Sequence, residues 1–194
     1  MAEGTAARSP LAPGGAATVG GPARSALAGR TEALAAAGAR EVAFLALLNL
    51  RLHPSLAARV PLALPPAPDT WTAGGGREAL WLGPDEWLLV GAPGSAAATL
   101  AELEAALDGL HRSVVDVSAN HAVVELAGGA RLDLLAQGCG LDLHPRSWRP
   151  GGCAQTLLAR VPVLLQERAG ATRIFVRPSF AGYLADWLAV AARA

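Results

Sequence analysis

The chain has 194 residues, of which 52% are hydrophobic and 16% are charged, and 16 basic residues balance 16 acidic ones. This length and apolar content allow the core of one or two globular domains. All basic residues other than histidine are arginine and the net charge is zero, which argues against a nucleic-acid partner because phosphate binding needs a basic surface.

No apolar run reaches the roughly 18 to 20 residues that a membrane-spanning helix needs. Acidic Glu3 stands where a secretory signal peptide is basic. We therefore expect a cytoplasmic protein without a membrane partner.

Residues 1–30 consist mainly of Ala, Gly, Pro and Ser and contain no aromatic side chain. Such a segment cannot offset by itself the entropy that it loses on ordering. We predict a flexible tail over residues 1–30 and one domain over residues 31–194. Composition leaves open whether the tail orders on a partner or is a solvated leader, and it favours the leader.

The first sub-half of the domain, at about residues 41–110, predicts strands followed by a helix. The leucines of residues 48–52 alternate with polar residues as in a strand, and Pro54 suits the first turn of a short helix. The stretch WLGPDEWLLV predicts a hairpin with Pro84 and Asp85 in its turn. A helix should follow, with Ser95 as its N-cap.

The second sub-half, at about residues 111–194, repeats this plan. It predicts strands in SVVDVS and HAVVELA, a short helix closed by Gly138, two strands around the turn from Arg168 to Gly170, and a last helix capped by Ser179. Both sub-halves run strand, turn, strand, proline, helix. We predict an α+β fold of antiparallel sheets with packed helices and two related β-β-α halves.

Two groups of residues suggest catalysis, and both have a simpler interpretation. Asp85 and Glu86 are adjacent in a turn, where neighbouring carboxylates diverge and cannot face each other across a substrate. Asp116, Ser118 and His121 are the residue types of a hydrolase triad. No nucleophile elbow of the G-x-S-x-G kind surrounds the serine. We therefore predict no catalytic residue from either group.

Cys139 and Cys153 lie fourteen positions apart and lack the close paired spacing of a zinc site. In a reducing compartment such cysteines are most simply small buried side chains. We predict no metal and no disulfide on this chain.

Tryptophan and arginine provide candidate interface residues, because these types dominate interface hot spots. If Leu82 pairs with Trp87 and Trp81 pairs with Leu88, the two indoles lie on opposite faces of the hairpin, one in the core and one at a ligand, a helix or another subunit.

A second group of candidates is the loop HPRSWRP, where Arg146 and Arg149 flank Trp148. In one interpretation the loop docks on a partner, with its prolines limiting the entropy lost. In the other, Trp148 caps the core and the arginines are solvated.

Seven stretches between about Glu41 and the C-terminus occur in a distinctive order: LLNLRLHP, LPPAPDT, ALWLGPDEWLLVGAPG, VVDVSANHAVVELAG, LLAQGCGLDLHPRSW, PGGCAQTLLARVPVLLQ and RPSFAGYLADWLAVA. Together they resemble the gamma subunit of heterotetrameric sarcosine oxidase. The resemblance implies alpha, beta and delta subunits as partners. It also implies that FAD, FMN, NAD, zinc and tetrahydrofolate are held by those subunits and that this chain binds no cofactor.

A wider resemblance begins at Asp116–Ser118, where DVS is followed by an apolar strand, a glycine and a short helix. This pattern is similar to the core module of the folate-dependent aminomethyltransferase of glycine cleavage, which implies a folate-binding-like fold but not its activity. That family carries a folate-addressing aspartate where this chain has Leu158–Pro162.

Because a neutral or basic side chain cannot replace that carboxylate, we expect a noncatalytic subunit that supports assembly of the sarcosine-demethylating complex. The alternative is a free-standing folate-binding one-carbon protein, for which Asp116 would be the compensating carboxylate.

Overall fold

The computed structural model describes residues 24–193 and contains two five-stranded antiparallel sheets. Sheet 1 has, in spatial order, the strands β3 (Trp71–Gly74), β4 (Arg77–Gly83), β5 (Glu86–Gly91), β2 (Ala46–Leu52) and β6 (Arg112–Asp116). Sheet 2 has β1 (Ala39–Glu41), β7 (Ala122–Ala127), β10 (Ala171–Val176), β9 (Val161–Arg168) and β8 (Cys153–Leu158).

Four α-helices cover the outer faces of these sheets: α1 (Thr31–Ala36), α2 (Ala96–Ala106), α3 (Arg131–Ala136) and α4 (Pro178–Ala191). The α2 helix packs on sheet 1, where Leu103 joins Leu48 and Leu50 in one apolar cluster. The other three helices pack on sheet 2, and Leu184 of α4 joins its cluster. Short 3₁₀ helices span Pro54–Arg59 and Ser118–Asn120.

The inner faces of the two sheets meet in a third apolar cluster. Leu47, Leu80 and Leu88 of sheet 1 contact Leu164 and Phe175 of sheet 2 in this layer. Because strand side chains alternate, the inner strands β2, β4, β5, β7, β9 and β10 each supply apolar residues both to this layer and to the helix-covered faces. The predicted α+β fold with β-β-α halves is confirmed, as β4-β5-α2 and β9-β10-α4.

The predicted tail falls mostly on residues 1–23, which lie outside the described residues. Its last part, residues 24–30, belongs to the fold. Leu27 is 1% exposed in the cluster under the helices of sheet 2, and Ser25 Oγ donates a hydrogen bond to Glu41. Residues 24–30 are therefore packed on the domain, through buried Leu27 and the bond from Ser25 to Glu41.

The β4–β5 hairpin has the predicted turn but not the predicted register. Gly83 pairs with Glu86 around Pro84 and Asp85, while an irregularity between Trp81 and Gly83 makes Trp81 pair directly with Trp87. A bulge takes one residue out of the pairing and shifts everything before it by one position. The prediction that the two indoles lie on opposite faces is therefore wrong.

Two predicted helix caps work differently in the structure. Ser95 holds the N-cap position of α2, but its hydroxyl donates to Ala92 O at 2.7 Å and does not cap the helix. The α4 helix begins at Pro178 with Arg177 as N-cap, so the predicted cap Ser179 already lies inside the first turn. Proline suits this first position because its fixed φ is already helical.

Gly138 follows α3 as predicted, and a close approach explains why glycine stands there. A Cβ on Gly138 would lie 2.6 Å from Cζ2 of Trp187 and 3.1 Å from the backbone nitrogen of Ala159. Any side chain would therefore push α4 away from the β8–β9 hairpin.

A cluster of charged residues closes one end of the space between the sheets. Glu78 of β4 accepts hydrogen bonds from Gln166 Nε2 at 2.9 Å, from Arg173 Nη1 at 3.1 Å and from Arg168. Arg173 also binds Glu125 Oε2 through Nε at 3.0 Å. Each arginine is matched to a carboxylate, so the cluster links sheet 1 to sheet 2 without an unpaired charge.

Glu167 of β9 is a buried carboxylate, with 1% of its surface exposed. Oε2 accepts hydrogen bonds from Trp148 Nε1 at 3.0 Å and from Thr172 Oγ1, and Oε1 accepts one from Arg131. A buried charge is tolerated when it is paired and its lone pairs are satisfied. The side chain thereby joins α3, β10 and the loop before β8.

The backbone of Glu167 also forms hydrogen bonds with other parts of the chain. Its nitrogen donates to Gly152 O at 2.8 Å, and its oxygen accepts from Gly151 N at 3.1 Å and from Trp71 Nε1 at 2.9 Å. Trp71 belongs to sheet 1, and the guanidinium carbon of Arg168 lies 5.2 Å from the centroid of its ring. Glu167 and its neighbour therefore also fasten the edge of sheet 1 to sheet 2.

The turn between β8 and β9 is strained. Ala159 and Arg160 have φ values of 50° and 69°, as the primed turns of tight hairpins require, but such turns favour Asn and Gly. Ala159 is held on both sides, because its nitrogen donates to Gly138 O at 2.9 Å and its oxygen accepts from Tyr183 Oη at 3.1 Å.

We predict that Arg160→Gly stabilises the chain by up to about 1 kcal/mol, because glycine removes the penalty of a left-handed conformation. Urea unfolding of the purified chain measures the change. Arg146→Gly is the matched control, because Arg146 is also exposed but does not have a positive φ, and it should be neutral or destabilising. Equal effects of the two substitutions would contradict the strain.

We predict that Glu167→Gln lowers the free energy of unfolding by about 3 kcal/mol, because the half-buried Arg131 then lacks its counter-charge. Glu104→Gln is the control, since the side chain of Glu104 is exposed and makes no hydrogen bond or ion pair within residues 24–193. It should change the value by less than about 0.5 kcal/mol. A loss below about 1 kcal/mol for Glu167→Gln would contradict its role as a tie between elements.

Candidate functional site

A cavity opens between the two sheets at the end away from Glu78. This inter-sheet wedge has a volume of about 490 Å³ and is lined by residues of both sheets, among them Asn49, Glu86, Leu88, Phe175 and Arg177. Leu88 and Phe175 belong to the inner apolar layer, so the wedge is a continuation of that layer toward solvent.

Glu86 and Arg177 are the charged side chains of the wedge. Glu86 Oε1 accepts a hydrogen bond from Asn49 Nδ2 at 2.8 Å. Arg177 is exposed and its guanidinium makes no hydrogen bond or ion pair with any residue in 24–193. The wedge therefore carries one acidic and one basic group that do not neutralise each other.

His121 also lines the wedge. Burial of the imidazole, with a smaller contribution from the charge of Arg177, holds the pKa of His121 below its usual value. Its Nδ1 is buried and has no hydrogen-bond partner in the described part of the chain. Histidine is therefore neutral here at neutral pH and adds no charge.

The adjacent carboxylates at the hairpin tip bind different partners. Asp85 forms an exposed ion pair with Arg51 Nη2 at 3.0 Å, whereas Glu86 points into the wedge and binds Asn49. Two carboxylates that diverge in this way cannot act as general acid and base on one bond.

The three triad residue types do not form a triad. Ser118 donates from Oγ to Asp116 Oδ1 at 2.6 Å and from its backbone nitrogen to the same oxygen at 2.9 Å. These two bonds hold the pKa of Asp116 below its usual value. Ser118 Oγ also accepts from Leu47 N at 2.9 Å. Within residues 24–193 no hydrogen bond joins His121 to either residue, so the serine anchors β2 and has no histidine base.

Both cysteines are free thiols. Cys153 is fully buried, its Sγ donates to Thr70 O at 3.2 Å, and burial raises the pKa of this thiol to about 12. A thiol with such a pKa is not a thiolate nucleophile at neutral pH. No group of three or more His, Cys, Asp or Glu side chains could hold a metal in the described part of the chain.

The structure places the tryptophan candidates inside the chain itself. Trp87 is 3% exposed in the core between sheet 1 and α2, and half-buried Trp81 packs on the same cluster. Trp148 is 8% exposed, with its indole bonded to Glu167. Of the two interpretations of the loop, the geometry of Trp148 fits the one in which it caps the core.

Arg146 and Arg149 remain on the surface of the loop. Both side chains are exposed, and Arg149 Nε donates to Arg146 O at 3.1 Å. No ion pair within residues 24–193 involves either guanidinium. The two arginines are therefore available to a partner while Trp148 is not.

Leu158–Pro162 forms the strained β8–β9 turn and its flanks. Leu158 and Val161 are buried in the cluster under α4, while the side chain of Arg160 is exposed at the tip. Pro162 alone of this segment lines the wedge. The segment brings no carboxylate to the cavity.

Sequence reasoning missed Arg177 as a site residue. The signal was available in strand alternation, since Arg173, Phe175 and Arg177 follow one another at every second position and the first two face sheet 1. The alternation predicts the position of Arg177 less well than those of Arg173 and Phe175, because the proline that follows Arg177 leaves the end of β10 undefined in the sequence.

None of the helices in residues 24–193 is long and apolar enough to cross a membrane.

The family model of the sarcosine oxidase gamma subunit family matches residues 39–194. Sarcosine oxidase subunit gamma of Arthrobacter sp. is 39% identical over 158 residues, which cover 77% of this chain and 76% of the relative. The same subunit of Corynebacterium sp. strain U-96 is also 39% identical over 158 residues, with the same coverage.

A chain of the heterotetrameric sarcosine oxidase from Corynebacterium sp. U-96, solved with pyrrole 2-carboxylate, superimposes with a TM-score of 0.81 at 36% identity. The match covers 88% of this chain and 95% of that chain. Aminomethyltransferase T of the glycine cleavage system from Bartonella henselae gives a TM-score of 0.59 at 16% identity, over 84% of this chain and 52% of that one. The second likeness shows a shared fold and confirms the wider resemblance, and the first, with the family model, shows that this chain belongs to the sarcosine oxidase gamma subunit family.

Proposed function

We propose that this chain is a noncatalytic subunit that supports the assembly of heterotetrameric sarcosine oxidase. The complex would oxidise the N-methyl group of sarcosine to give glycine and hydrogen peroxide and pass the one-carbon unit to tetrahydrofolate. Membership of the gamma subunit family and the TM-score of 0.81 with a chain of such a heterotetramer support the proposal.

The β8–β9 turn is the observation that supports a noncatalytic role for this chain. Where the aminomethyltransferase-like fold would bring an aspartate, Ala159 and Arg160 form a tight turn, and Arg160 extends into solvent. An exposed guanidinium can neither accept a proton from a folate nitrogen nor hold it as a carboxylate does.

Asp116 does not compensate for that carboxylate. Its Oδ1 accepts both the hydroxyl and the backbone nitrogen of Ser118, and the residue is exposed at the end of β6. This engagement weighs against the alternative of a free-standing folate-binding protein.

We assign the cofactors of the complex to the companion subunits. The resemblance implies FAD, FMN, NAD, zinc and tetrahydrofolate, and residues 24–193 contain neither a cluster of metal ligands nor a reactive thiol at Cys153.

Exposed side chains support docking on the alpha, beta and delta subunits. Arg146 and Arg149 project from a loop that Trp148 anchors in the core, so little entropy is lost when a partner binds them. One face of α4 adds apolar area, with Phe180 42% and Tyr183 53% exposed. Large apolar side chains next to one another on a surface are typical of protein interfaces.

We predict that replacing Arg146 and Arg149 by alanine together weakens retention of the chain in the complex at least about tenfold, because arginines at an interface commonly contribute more than 1 kcal/mol each. The tagged chain is co-expressed with the three companions, and retention is measured by affinity purification at increasing salt. Thermal unfolding of the isolated variant should be unchanged, since neither guanidinium has a structural ion pair within residues 24–193.

Arg59→Ala is the matched control, because Arg59 is an exposed arginine at the end of a 3₁₀ helix. Retention of the double variant equal to that of the control would remove the loop from the interface. Failure of the unmodified chain to copurify with its companions, or heat released when tetrahydrofolate is titrated into the chain alone, would contradict the proposed function itself.

A further inference from the structure

Within the described part of the chain, charged side chains form ion pairs at one end of the inter-sheet space and remain unpaired at the other. At the Glu78 end, Arg168 and Arg173 are both paired with carboxylates across the sheets. At the wedge end, Arg177 and Glu86 have no such counterparts within residues 24–193, where Glu86 binds the neutral amide of Asn49. The fold therefore closes one end and leaves the other open with two unmatched charges.

The size and walls of the wedge suit a small organic ligand. Its volume of about 490 Å³ lies within the range of about 300 to 1,000 Å³ that is common for ligand sites. Leu88, Val117, Leu164 and Phe175 provide apolar walls from both sheets. A ligand with an apolar part can therefore continue the inner apolar layer.

The polar lining defines the charge of that ligand. The side-chain nitrogen of Gln155 is already hydrogen-bonded, because Nε2 donates to Leu82 O at 2.9 Å. His121 stays neutral because burial lowers its pKa. Glu86 and Arg177 then remain as the charges of the wedge. A simple anion would meet the repulsion of Glu86 and a simple cation that of Arg177, whereas a ligand with both charges satisfies both.

We propose that the inter-sheet wedge binds a zwitterionic α-amino acid with an apolar side chain. Arg177 receives the carboxylate, for which its planar fork of donors is suited. The free carboxylate oxygen of Glu86 receives the ammonium group, while the side chain lies against Leu164 and Phe175. This site goes beyond the assembly role and does not depend on it.

The test uses three compounds of similar shape on the purified full chain. L-Phenylalanine carries both charges, 3-phenylpropanoate carries only the carboxylate, and 2-phenylethylammonium carries only the ammonium. Titration followed by NMR or calorimetry should show saturable binding of L-phenylalanine and at least about tenfold weaker binding of each other compound, since a lost charge contact is commonly worth this factor. This comparison needs no variant.

Two substitutions then assign the contacts. Arg177→Gln should weaken binding of L-phenylalanine and 3-phenylpropanoate, whereas 2-phenylethylammonium should bind more tightly because the charge that repels it is gone. Glu86→Gln should weaken binding of L-phenylalanine and 2-phenylethylammonium, whereas 3-phenylpropanoate should bind more tightly because the charge that repels it is gone. Glutamine keeps the bond with Asn49, so the wall of the wedge stays in place. Arg59→Gln, far from the wedge in sequence and exposed, is the control and should change nothing.

Several outcomes would overturn the proposal. These are no binding of L-phenylalanine at its solubility limit, equal binding of all three compounds, or the same affinity for L-phenylalanine in Arg177→Gln and in the control. The first result would leave the assembly role intact, because copurification with the companion subunits is measured separately.

Discussion

The buried carboxylate of Glu167 is the constraint on which much of this structure depends. A charge with 1% exposure is unfavourable unless every oxygen is satisfied, and Glu167 meets that demand with Arg131, Trp148 and Thr172. The hydrogen bonds from Arg131 and Trp148 hold the start of α3 and the loop before β8 against Glu167. As a result, the indole of Trp148 turns inward, and the arginines on either side of it turn outward.

That arrangement supports the proposed docking role. The loop around Trp148 is rigid because its anchor is buried, and the exposed arginines on it are positioned before any partner arrives. The β8–β9 turn and α4 are held together in a similar way, through Gly138, Ala159 and Tyr183. Two well-ordered surfaces result, one at the loop around Trp148 and one where α4 meets the β8–β9 turn.

Sequence reasoning predicted the elements that depend on alternation and turn residues. It gave the α+β class, both β-β-α units and the turn at Pro84–Asp85, because these follow from local pattern. It missed the bulge between Trp81 and Gly83, since the glycine there was interpreted only as part of the turn, although glycine in a strand often marks a bulge. It also placed the cap of α4 at Ser179, although Pro178 marks the first helical position.

The candidate site was less predictable, for a physical reason. Glu167 stands in the core-facing register of β9 after Val161, Val163 and Leu165, so alternation alone identifies it as a buried acid. Its partners, however, come from distant parts of the chain. Likewise, the unmatched charges of Arg177 and Glu86 become visible only when two sheets are assembled and the other end is seen to be paired.

Reconstitution without this chain is the most direct test of its role. The companion subunits are expressed together with and without it, and the mass of the complex and its sarcosine-dependent peroxide production are measured side by side. The account predicts that, without it, the complex fails to accumulate and peroxide production falls in proportion, and that adding back the purified chain restores both. A stable complex with full activity in its absence would contradict the account.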